Sequence, residues 1–84
     1  MDLKEQFKQA SEKVHTLEKR PSNDKLLELY GLFKQATEGD VQGERPGGFD
    51  FKAIAKYDTW ANLRGMSQDD AKKAYIDLVN ALLA

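Results

Sequence analysis

Leu3, Phe7, Ala10, Val14 and Leu17 are separated by steps of four, three, four and three, the apolar stripe that an amphipathic helix buries. A first helix is expected from about residue 2 to about residue 17. Pro21 in "RPSND" cannot continue it, Ser22 is placed to cap the next helix, and Asp24 falls in a first turn, where a carboxylate suits the helix dipole. Leu26, Leu27, Leu29, Tyr30, Phe33 and Ala36 carry a second helix to Gly39, which suits a left-handed C-terminal position. Residues 39–50, "GDVQGERPGGFD", hold four of the six glycines and one of the two prolines and read as a loop. Helical spacing resumes with Phe51, Ile54, Ala55, Trp60, Ala61 and Leu63, ending before Gly65. Ser67 and Asp70 have the spacing of a capping box, and Ala71, Ala74, Tyr75, Leu78 and Leu82 form the stripe of a fourth helix.

No segment alternates with period two and no internal repeat is visible, so the fold class is all-α with four helices. Short links join the first helix to the second and the third to the fourth, which predicts that each pair packs as antiparallel neighbours. The loop of residues 39–50 can span about 40 Å when extended, whereas a helix of about 16 residues is about 24 Å long. The chain can therefore return along the bundle before the third helix starts, giving an up-down-down-up order.

Length and charge narrow the function. A chain of 84 residues is expected to be one domain over 1–84, burying about 60–65% of its unfolded surface and leaving little room for a deep catalytic cavity. Thirteen Lys and Arg against fourteen Asp and Glu give a net charge of -1, which excludes a general basic field for nucleic acid or an acidic membrane. Any anion must be held by a local arrangement. The absence of cysteine removes disulfides and thiolate chemistry, and His15 has no second histidine to share a metal with. No stretch approaches the roughly 18 apolar residues of a membrane span, and no secretion leader is visible, so a cytoplasmic protein is expected. Ser11, Ser22 and Ser67 lack a histidine partner, Asp69 and Asp70 read as helix-start carboxylates, and "GERPGG" lacks the phosphate-loop lysine.

"YGLFKQATEGD" (30–40), followed by "ERPGGFDFKAIAKYDTW" and "AYIDLV", resembles the acyl-CoA-binding protein family, from Phe7 to about Leu83. The resemblance implies a four-helix up-down-down-up bundle that binds medium- and long-chain acyl-CoA esters and performs no reaction on them. It also implies ligand contacts for Tyr30, Lys34, Lys56 and Tyr75. The family usually has tyrosine where this chain has Phe33, and many relatives have a lysine near the phosphates where this chain has His15.

The same residues suit that ligand chemically. Lys34 and Lys56 can place cations on a 3′-phosphate, with the Tyr30 phenol as a donor one helical turn before Lys34. Phe33 can stack on adenine for about 1–3 kcal/mol, but donates no hydrogen bond. Tyr75 can turn its hydroxyl toward the polar arm, and His15 is a weaker anion partner than lysine. Leu26, Leu27 and Ala10 are the expected lining for the alkyl tail, each buried methylene contributing about 0.8 kcal/mol. Without the resemblance, the aromatics would read as core and the lysines as solvated surface.

The expected protein is thus a monomeric acyl-CoA carrier with no cofactor, no metal, no nucleic-acid partner and no integral membrane segment. A different class of function, a protein- or peptide-interaction module, is suggested by residues 35–52, which resemble the segment from which some animal relatives release signalling peptides. An enzyme of CoA metabolism is set aside because the chain carries no second domain of the kind fused to this one in some enzymes.

Overall fold

The structure, a computed structural model, describes residues 1–84. Its helices are α1 (Leu3–Lys13), α2 (Asn23–Glu38), α3 (Phe51–Ala61) and α4 (Gln68–Leu83), with a 3-10 turn over Val14–Thr16 and no strand.

Each helix starts where a short polar side chain satisfies an orphan amide. Asp2 accepts from the Glu5 N–H (2.8 Å), Ser22 from Lys25 (3.3 Å), Asp50 from Ala53 (3.1 Å) and Ser67 from Asp70 (3.0 Å). The helix ends differ from expectation. α1 stops at Lys13 instead of running to 17, and the chain tightens into the 3-10 turn, where the Thr16 hydroxyl donates to the Lys13 carbonyl at 2.7 Å. α3 ends at Ala61, and the amides of Leu63, Arg64 and Met66 bond the carbonyls three residues back before Gly65 reverses the chain at φ 95°. Gly39 ends α2 at φ 81° and ψ -151°, a region essentially closed to other residues and distinct from the left-handed helical one.

Cross-helix contacts fix the order. Along α2 and α3, Tyr30 meets Lys56, Gly31 meets Thr59 and Lys34 meets Trp60, numbers rising together, so these helices run parallel. Phe33 packs on Tyr75 while Gln35, further along α2, bonds Met66 just ahead of α4, so α2 and α4 are antiparallel. Phe7 packs on Tyr75, and Thr16 and Leu17 lie near Leu82 and Leu83, so α1 and α4 are parallel. The result is the expected up-down-down-up bundle. The expected neighbours are not the packed ones: α1 packs on α4, and α2 on both α3 and α4. Neither short-linked pair, α1 with α2 or α3 with α4, is among these main contacts, because a short link permits adjacency but complementary apolar faces decide it.

The core is Phe7 and Ala10 from α1, Leu29, Leu32 and Ala36 from α2, and Ala71, Tyr75 and Val79 from α4. The buried face of α2 is therefore Leu29–Leu32–Ala36, with Gly31 and Gln35 also buried. That rotation leaves Leu26, Leu27 and Tyr30 half-buried along its flanks and Phe33 exposed. Phe51, expected on the stripe of the third helix, is 70% exposed. The loop is clamped to α3 at three points: Arg45 donates to both carboxylate oxygens of Asp58 (2.8 and 2.9 Å), the Tyr57 hydroxyl to the Gly43 carbonyl (3.1 Å), and the Trp60 indole to the Gly39 carbonyl (2.8 Å).

Candidate functional site

Two grooves meet on the flank of α2 that the core leaves free. The larger, about 610 Å³, lies between the end of α1, the 3-10 turn, α2 and α4. Its lining includes Val14, His15, Leu26, Tyr30, Phe33 and Tyr75, so it is chiefly apolar and aromatic. Phe7 backs it: its ring stacks on Phe33 at 5.6 Å between centroids and meets Tyr75 edge-on at 5.1 Å, while Phe33 and Tyr75 stand 6.0 Å apart. Such pairs contribute about 0.5–1.5 kcal/mol each beyond their burial, which fixes the two aromatic walls. Burial raises the Tyr75 phenol above its ordinary value of 10.0, so at neutral pH it remains a hydrogen-bond donor.

The second groove, about 400 Å³, runs between α2 and α3 and is lined by Arg20, Asn23, Leu26, Leu27, Tyr30, Lys52, Ala55 and Lys56. Three cations and no carboxylate line it. Lys56 sits over the Tyr30 ring, 5.2 Å from its centroid, a cation–π geometry that orients the ammonium. Leu26 and Tyr30 belong to both grooves and form the ridge between them. One side of the ridge offers flat aromatic walls; the other offers cations above aliphatic stems, suited to an anion attached to an apolar chain.

Seven of the nine residues expected in the site come together here: His15, Phe33 and Tyr75 in the larger groove, Leu27 and Lys56 in the smaller, and Leu26 and Tyr30 in both. Ala10 does not join them. It is buried in the core and borders a separate shallow dent with Gln6, Gln9, Lys13, Ile76 and Asn80. Lys34 lines neither groove; its ammonium pairs with Glu38 one turn further on and lies 4.9 Å from the centroid of the Trp60 ring.

This arrangement can be set beside known proteins. The family described as "Acyl CoA binding protein" matches residues 4–79. The chain belongs to that family. It is 51% identical to the acyl-CoA-binding protein homolog of Manduca sexta, covering 100% of this chain and 94% of that one. It is 50% identical to the acyl-CoA-binding protein of Saccharomyces cerevisiae, over 93% of this chain and 90% of that protein. The crystal structure of Oryza sativa acyl-CoA-binding protein 2 superimposes with a TM-score of 0.93 at 44% identity, covering 98% of this chain and 91% of that one.

In this acyl-CoA-binding family member, sequence reasoning passed over two groove cations, Arg20 and Lys52. Lys52 had a usable signal, because it stands four residues before Lys56 on one helix face. Arg20 had none, since it lies in the link before α2 and its place beside Lys52 and Lys56 depends on how α3 packs against α2.

Proposed function

We propose that this chain binds medium- and long-chain acyl-CoA esters reversibly and without transforming them, as a carrier and store, with residues 1–84 acting as one binding domain. The observation that carries this reading, within a chain of this family, is the shared Leu26–Tyr30 ridge, which joins an aromatic groove to a cationic one. The adenine lies against Phe33, Tyr30 and Lys56 hold phosphate, and the tail follows Leu26, Leu27 and Ala55. Arg20 and Lys52 add charge while their stems cover apolar surface. Tyr75 donates its phenolic proton to the polar arm, and His15 borders the adenine end. A monomer in the cytoplasm fits this role, with acyl-CoA as its ligand and no cofactor.

Residues 39, 43 and 45 of the loop are tied to α3, which does not favour the peptide-precursor alternative. Calorimetric titration with palmitoyl-CoA, free CoA and palmitate tests the proposal. Tight 1:1 binding of the ester and much weaker binding of either half is the expected result; no binding of the ester overturns it.

A further inference from the structure

Tyr30, Lys34 and Glu38 stand four residues apart along α2, and Lys56 and Trp60 stand four apart along α3. Because the two helices run parallel, the seam between them carries two cation–π contacts of opposite polarity. Lys56 of α3 covers Tyr30 of α2, and Lys34 of α2 covers Trp60 of α3. The two lysines differ in one respect. The chain's ion pairs are Lys25–Glu28, Lys34–Glu38, Arg45–Asp58 and Lys72–Asp69. Lys56 thus has no carboxylate of its own, whereas Lys34 is held by Glu38 on one side and by the Trp60 ring on the other.

We propose that Glu38 is an intramolecular competitor for the anion site: it holds Lys34 away from the grooves, and a phosphate-bearing headgroup must displace the carboxylate to recruit that ammonium. This rests on the acyl-CoA reading given above. Lys34 lies one turn beyond Tyr30 on the same helix, so releasing it requires side-chain rotation only. The Glu38 side chain is half exposed, and exposed pairs at this spacing are weak and screened by salt. Glu38 therefore lowers affinity by a small factor rather than closing the site. It acts through Lys34 and touches no part of the ligand, which makes it a positioning residue.

The test is a cycle of Glu38→Gln, Lys34→Ala and the double variant, each titrated with palmitoyl-CoA at low ionic strength in a displacement format that reads weak binding. Glu38→Gln should tighten binding about twofold in the wild-type background, as expected for losing one exposed i,i+4 pair, and should change nothing in the Lys34→Ala background. A gain that persists without Lys34 means simple repulsion between Glu38 and the ligand and overturns the proposal, as does an unchanged affinity of Glu38→Gln. If the wild type itself does not bind palmitoyl-CoA, the functional reading falls; if it binds and Glu38→Gln is neutral, only the role of Glu38 falls.

Discussion

Asp40 shows how much one exposed carboxylate can tie together. Its Oδ1 accepts from the Gly65 N–H at 2.9 Å and from Gln35 Nε2 at 2.8 Å, and the same Gln35 nitrogen donates to the Met66 carbonyl at 2.8 Å. The start of the loop, the end of α2 and the turn between α3 and α4 meet there. The Gly65 amide, followed by Gln35, holds the Asp40 carboxyl below its ordinary value of 3.8. Bonding to Arg45 does the same for Asp58. Folded values below the unfolded ones mean stability that is present above about pH 4 and is lost as pH falls through the folded values. Urea midpoints should therefore hold from pH 7 to 5 and drop below pH 4. Asp40→Asn should lower the midpoint at pH 7 and flatten the acid limb, leaving the part that belongs to Asp58 and the other carboxylates. An equally steep limb in the variant would contradict this. None of this was legible in the sequence, where Gln35 and Asp40 sit inside a family motif whose spacing says nothing about a partner at Met66.

At the scale of elements, the α2–α3 seam depends on a glycine. Gly31 is buried in α2, and a Cβ there would come within 2.9 Å of Thr59 Cγ2 and 3.3 Å of the Thr59 carbonyl oxygen. Alanine is favoured over glycine in a helix interior by about 1 kcal/mol, but overpacking costs about 1–3 kcal/mol. Gly31→Ala is thus expected to lower the thermal midpoint, and Thr59→Ser in the same chain to recover part of the loss by removing Cγ2; a stabilised single variant would show that the seam opens freely. The helix starts were readable, because Ser22 and Ser67 cap through local hydrogen bonds that involve only neighbours in sequence. The buried faces were readable only in part. Leu32 and Val79 belong to the core yet fall outside the apolar stripes expected from the sequence, since the choice among adjacent apolar residues is made by the opposing helix.

At the scale of the molecule, parallel α2 and α3 create the site. The long connection returns the chain so that Lys52 and Lys56 fall beside Leu27 and Tyr30, while Phe33 of α2 and Tyr75 of α4 form the aromatic walls, backed by Phe7 of α1. The flat outline, with extents of 41 × 29 × 15 Å, keeps both grooves at the surface. Loop length made the helix order legible, whereas the packing partners required the structure. The central claim is that one ligand crosses the Leu26–Tyr30 ridge and occupies both grooves. Backbone amide shifts followed by NMR during titration with palmitoyl-CoA test it most directly. Signals from His15 and Phe33 in one groove and from Lys52, Ala55 and Lys56 in the other should move together and saturate at one equivalent. Movement confined to one groove, or the two sets saturating at different ligand ratios, would contradict it.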